Sequence, residues 1–182
     1  MDNIWGAGLT TAPDPGGSGG GVLPFVAALP EGTKTVTFSH VTGSVSFGKR
    51  GESSPNGPDG NLDSGFNTNI SAYGGISGLK DTEHYFYLVG IFLDGGQPAG
   101  PPPTLNFTNH HSFKTLAPLE GQVFFVGDGR TGTGKGETQQ FMVPKGATDL
   151  YLGFADAGNA SGPCGAYGDN FGSLSGHVNL NS

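Results

Sequence analysis

Residues 35–47, TVTFSHVTGSVSF, decide the fold. Val36, Phe38, His40 or Val41, Val45 and Phe47 alternate with polar residues. A period of two puts successive side chains on opposite faces of an extended chain, so the stretch reads as a half-buried strand, interrupted near Gly43. Comparable runs recur at 84–93 (HYFYLVGIFL), 104–107, 122–126 (QVFFV), 138–143 (TQQFMV), 149–154 (DLYLGF) and 172–180 (GSLSGHVNL). Turn signals separate them: PNGPDG at 55–60, DGG at 94–96, DGRTGTGKG at 128–136 and PKGAT at 144–148. PAGPPPTL at 98–105 cannot continue a ladder, because proline lacks the donor N–H, and reads as an extended surface crossing. Strands at short intervals with no long helical period imply an all-β domain, an antiparallel β-sandwich of jelly-roll-like type. No internal repeat is present.

Composition agrees. The chain has 182 residues, enough for one domain with a real core. Charged residues are only 13% and 35 residues are glycine without a G-X-Y period, which excludes coiled coils, charged tails and collagen. Residues 11–21, TAPDPGGSGGG, have a linker composition, so residues 1–21 read as a short flexible arm, with Ile4 and Trp5 apolar enough to dock. Residues 22–182 then form the β-domain. A net charge of −7 with eight Lys and Arg leaves no basic stripe for nucleic acid. No apolar run reaches the ~18 residues of a membrane helix, and no basic-then-apolar leader opens the chain. The low Lys and high Gly, Asn, Thr and Ser suit a mature exported domain, secreted or at a cell surface.

The richest chemistry lies at 153–173, GFADAGNASGPCGAYGDNFGS. Asp156, Asp169 and Asn170 surround a glycine-rich loop between two expected strands. Calcium takes about 6–8 oxygen ligands from carboxylates, amides and backbone carbonyls, and such a loop can turn its carbonyls inward. An ordinary Asn/Asp/Gly turn is the other reading of the same residues. Cys164 is the only cysteine, so an intramolecular disulfide and a thiolate zinc cluster are excluded. It is either incidental or an exposed thiol that pairs chains.

The order FF-GDG-TG-G-Q-F-VP-GAT-L-LGFADA…G-YGDN-GSL at 124–174, with VTGSVS at 41–46, NGPDG at 56–60, GGISG at 74–78 and LVGIFLDG at 88–95, resembles an exported bacterial domain found in proteins bearing a C-terminal exosortase sorting tail (PEP-CTERM). GAYGDNFGS at 165–173 is similar to the site loop of the LecA-type calcium-dependent galactose-binding lectins. That resemblance implies a bound Ca2+, with Asp156 as the strand-end carboxylate ligand, Ala166 as a backbone carbonyl ligand, and Asp169 and Asn170 as side-chain ligands. The loop between Asp156 and Gly165 is longer here than in the lectins. The earlier contact loop has its counterpart in SFGKRGESSPNGPDG at 46–60, with Asn56 and Asp59 as candidates. The implied function is calcium-dependent binding of carbohydrate of galactose type. Two vicinal hydroxyls replace two calcium-bound waters, Asp156, Asp169 and Asn170 serve both ion and sugar, and Tyr167 or Phe171 either stacks on the ring or packs in the domain. One such site binds weakly, so avidity calls for several copies, on a homo-oligomer or a cell surface.

Other constellations carry less. His110 and His111 are neighbours, and neighbours in a strand face opposite ways, so they read as surface or turn residues. His40, His84 and His177 read as hydrogen-bonded strand residues. GDGRTGTGKGET at 127–138 has Gly136 where the G-x-x-x-x-G-K-[ST] motif needs Ser or Thr and reads as a hairpin loop, with Asp128 as a candidate for a second cation. GGSGG at 16–20 fits the letters G-x-S-x-G but lies in the linker-like stretch, and there is no H-E-x-x-H, so no catalytic machinery is expected. A structural surface protein whose calcium only rigidifies loops is the rival reading.

Overall fold

The computed structural model describes residues 1–48, 55–62, 66–132 and 134–182. Among them the chain forms twelve strands: β1 Phe25–Ala28, β2 Thr35–Ser46, β3 Thr68–Ile70, β4 Leu79–Asp81, β5 Leu88–Leu93, β6 Leu105–Asn106, β7 Thr115–Leu116, β8 Phe124–Phe125, β9 Gln140–Met142, β10 Asp149–Phe154, β11 Ser161–Gly162 and β12 Phe171–Asn181. They assemble into three four-stranded sheets, β1-β10-β5-β8, β11-β3-β4-β6 and β12-β2-β9-β7. The fold is an all-β sandwich. Most pairs are antiparallel, but the short pairs β11–β3, β4–β6 and β7–β9 are parallel.

β5 shows why the sheets face each other. All six of its residues, Leu-Val-Gly-Ile-Phe-Leu, are buried, as a central strand covered on both faces requires. β2 and β12 form the longest ladder, and its irregularity falls at His40 rather than Gly43. Ser175 pairs with Thr42 and His177 with Ser39, so Gly176 alone faces His40 and Val41. His40 takes φ 54°, the local kink of a β-bulge.

The core is aromatic. Phe92 and Phe124 stack with centroids 5.2 Å apart, Phe124 meets Phe141 at 5.2 Å, and Phe38 meets Phe141 edge-on at 5.4 Å. Trp5, Ile4 and Ala7 belong to the same core and are fully buried.

Residues 1–21 are therefore not a flexible arm. The Trp5 indole donates to the Ser77 carbonyl at 3.0 Å, and Gln97 Nε2 donates to the carbonyls of Trp5 and Ala7 at 3.1 and 3.0 Å. Asn3, also fully buried, donates to the carbonyls of Pro13 and Gly20, both at 2.9 Å, and accepts from Trp5 N. The linker-like stretch is held by its backbone: Gly16 N donates to Cys164 O, and Asp14 accepts from the amides of Ser18 and Gly19. Glycine lets this segment lie against residues 163–168 where a side chain would collide. A Cβ on Gly21, at φ 70°, would sit 2.3 Å from Met1 O and 2.8 Å from Tyr167 Cβ.

Candidate functional site

β10 ends at Phe154 and β12 begins at Phe171, and the loop between them carries the Asp156 constellation. Its neck is closed by bridges from Ala157 to Cys164 and Gly165, and by Gly165 N donating to Asp156 O at 3.2 Å. Tyr167 fixes the backbone from beneath. Its hydroxyl donates to Phe154 O at 2.8 Å and accepts from Asp156 N at 3.1 Å. The Tyr167 ring is buried with Val45, Tyr85, Phe86 and Phe154, so it is a packing residue and offers no face to a sugar. Residues 18–19 cover it from the N-terminal side, accepting from Gly168 N and Tyr167 N.

Asp156 is 7% exposed. Its Oδ2 accepts from Asn170 Nδ2 at 2.7 Å and its Oδ1 from Ala157 N at 2.8 Å. Burial pushes its carboxyl up to about 7, against those two hydrogen bonds, and the nearby Asp169 charge adds to the rise. Asn170 spends its amide N–H on Asp156 and leaves Oδ1 buried without a hydrogen-bond partner among the described residues. Buried polar atoms in native proteins are nearly always satisfied. A desolvated carboxylate beside an unsatisfied carbonyl oxygen therefore fits a cation that takes oxygen ligands.

Asp156, Ala166 and Asp169 line a cavity of about 520 Å3 together with Phe47, Phe66, Tyr85 and Phe86. Asp169 is exposed and Ala166 half-buried. Phe47 packs edge-on to Phe66 at 5.8 Å and to Tyr85 at 5.0 Å, giving one aromatic wall. Phe171 opens β12 opposite Ser46.

Asn56 and Asp59 do not line this cavity. Asn56 is buried and exchanges both backbone hydrogen bonds with Val45, at 2.9 and 2.6 Å, which extends the β2 edge. Its Nδ2 also lacks a partner. Residues 49–54 of the same loop lie outside the described residues. Asp59 belongs to a different cluster: Oδ1 accepts from Asp128 N at 2.8 Å and its carbonyl faces His84 Nδ1 at 2.8 Å. Burial is the main cause that raises its carboxyl above the ordinary range.

That second cluster was hidden from the sequence. His84 lies before β5, outside any strand, and its ring lies tilted by 35° against His111 with centroids 3.9 Å apart. The His111 side chain is only 13% exposed and faces two carboxylates, with Nε2 2.5 Å from the fully buried Asp81 Oδ2 and Nδ1 3.6 Å from Glu83 Oε2. Asp81 Oδ1 accepts from the amides of Glu83 and His84 at 2.9 and 3.1 Å. The Tyr87 hydroxyl, buried without a well-formed hydrogen bond, is pushed well up by desolvation and by the Asp81 charge.

Two other expectations meet their geometry here. Asp128 spends both oxygens inside its own loop, accepting from Arg130 N and Gly134 N at 2.8 Å each, and Arg130 bridges Thr138 as in a hairpin. Cys164 is 1% exposed, which removes it from any pairing between chains. A further cavity of about 530 Å3 lies beside β12, with Phe25, Phe38, Phe154 and Leu174 in its lining beside Asp2 and His177. No protein family, curated protein or solved structure matches this chain, so the Asp156 cavity and the paired histidines stand on their own geometry.

Proposed function

We propose that this protein binds carbohydrate through a calcium ion held at the Asp156–Asn170 loop. The observation that carries the reading is the unpartnered Asn170 Oδ1 beside the desolvated Asp156 carboxylate. The donors are all oxygen, which suits a hard divalent cation and disfavours a thiophilic one. Asp156 and Asn170 supply side-chain oxygens, Asp169 a third at the solvent edge, and Ala166 its backbone carbonyl. Bound calcium supplies coordination positions that two vicinal sugar hydroxyls can fill in place of water.

The remaining work falls to the chain itself. Asp169, exposed at the rim, accepts hydrogen bonds from sugar hydroxyls, and charge-assisted bonds of this kind are about twice as strong as neutral ones. Phe47 and Phe66, both half-buried in the cavity lining, offer the apolar surface that the carbon face of a pyranose covers. The resemblance to galactose-binding lectins and to exported bacterial domains supports a galactose-type ligand and a cell-surface or secreted setting, without catalysis.

A glycan array probed with and without calcium tests the reading. Binding that requires calcium, shares one terminal sugar and disappears in Asn170→Ala supports it. Calcium-dependent melting with no glycan bound would instead make the ion structural, and absence of any calcium effect would remove the site.

A further inference from the structure

We infer that Glu83, His84 and His111 hold a divalent transition-metal ion of the zinc class, at a site separate from the Asp156 loop and independent of the carbohydrate reading. Each of the three contributes one ligand atom, and these atoms lie within 4.8 Å of one another. Around zinc, nitrogen and oxygen ligands sit about 2.0–2.2 Å from the ion, which puts tetrahedral neighbours about 3.3–3.6 Å apart. The Glu83 Oε2–His111 Nδ1 separation, 3.6 Å, already matches that spacing.

The hydrogen bonds already assign the tautomers. The Asp59 carbonyl can only accept, so the 2.8 Å contact is a donation from His84 Nδ1, and in the neutral, metal-binding ring the lone pair lies on Nε2. The Asp81 carboxylate likewise accepts from His111 Nε2 and leaves the lone pair on Nδ1. That lone pair faces Glu83 Oε2, a second acceptor, at 3.6 Å. A metal ion between the two would take both atoms as ligands.

The support is arranged as it is around metal-bound histidine, where the second ring nitrogen donates to a carboxylate or backbone carbonyl. One carboxylate does much of it. Asp81, fully buried, orients His111 through Oδ2 and pins the backbone amides of Glu83 and His84 through Oδ1. Glu83 Oε2 is steadied by Asn109 N at 2.9 Å, and the His111 ring abuts Phe125 at 4.9 Å. Two imidazoles and one carboxylate select zinc, iron, cobalt or nickel over calcium and magnesium. Three protein ligands also leave a coordination position for water or a small exogenous ligand.

The test is titration of the chelator-stripped full chain with Co2+, read by its visible d–d bands, and with Zn2+ by calorimetry, in about 1 mM calcium. One equivalent should bind despite the calcium, the double variant His84→Ala/His111→Ala should lose it, and Glu83→Gln should weaken it at least about tenfold. Asp81→Asn should weaken it about 10- to 100-fold, as expected for a residue acting through a ligand. Glu83→Gln changes a partly exposed side chain, so it remains informative if the histidine variants misfold. Failure of the parent to bind, or equal affinity in parent, Glu83→Gln and the double variant, would overturn the inference and leave His111 as a hydrogen-bonding strut between Asp81 and Glu83.

Discussion

Asn170 donates to Asp156 at 2.7 Å across 14 residues of chain, and in doing so leaves its own carbonyl oxygen buried with no partner among the described residues. The carboxylate it meets is nearly sealed from water. That pair links the stability of the domain to pH and, on the proposed reading, to calcium.

In metal-free protein the Asp156 carboxyl is raised by burial from 3.8 to about 7. The folded chain thus binds a proton more tightly than the unfolded chain. Its contribution is full below about pH 4 and is lost as pH rises through about 7, by an amount on the order of 4 kcal/mol. With chelator present, the difference in Tm between the parent and Asp156→Asn should therefore grow against the parent from about pH 5 to pH 8. Calcium should raise the parent's Tm at pH 8 and have little effect at pH 5, where the proton competes for the same oxygens. A parent–variant difference that is flat with pH would refute the assigned environment.

Trp5 ties the N-terminus to the core, with its indole on Ser77 O at 3.0 Å. Trp5→Ala should cost about 3–5 kcal/mol, the range for emptying a large buried aromatic site. Trp5→Phe keeps most of the volume but strands the Ser77 carbonyl, a penalty of about 1–3 kcal/mol. Denaturant melts of both variants measure this. Wild-type stability in Trp5→Ala would mean that residues 1–21 are a dispensable arm after all.

Gly90, in the middle of β5, pairs with Phe124, and a Cβ there would sit 2.7 Å from the Phe124 Cε2 and Cζ. That ring is fully buried against Phe92 and Phe141 and has nowhere to go. Gly90→Ala should cost about 1–3 kcal/mol as an overpacked core. At about 2–4 °C per kcal/mol for a domain of this size, the Tm should fall by several degrees. Gly90→Ala/Phe124→Leu should recover part of the loss, and no recovery would place the strain elsewhere.

What the residues disclosed in advance depended on whether the signal was local. Residues 149–154 read as a strand and are β10, because alternation and flanking turns act within one segment. HYFYLVGIFL read as a single strand, yet its first four residues leave the ladder. Phe86 adopts φ 53°, and Tyr85 makes only an isolated bridge to Asn61. TAPDPGGSGGG read as a linker because composition registers missing side chains, whereas its backbone hydrogen bonds to residues 164–168 depend on tertiary contact. The Asp156 loop was visible because its groups lie within 15 consecutive residues. His84 and His111 come from different segments and meet only through the partners that Asp81 and Asp59 provide, which no spacing rule anticipates.

Cys164 gives the last prediction. The thiol is 1% exposed and pushed up to about 12, chiefly by burial, with the Asp14 charge adding to the rise. Thiolate is the reactive form, so at about pH 8 only some one part in 10,000 is available even before access is considered. A disulfide reagent should label the native protein negligibly and take up one equivalent on unfolding. The protection also reports on the neighbouring segment, because Gly16 N donates to Cys164 O and residues 14–19 lie over that part of the loop. Gly16→Pro removes the donor, so labelling should then proceed through local opening, at a rate above the parent's while the global melt changes little. Rapid labelling of the native parent would show that the N-terminal segment does not cover the loop.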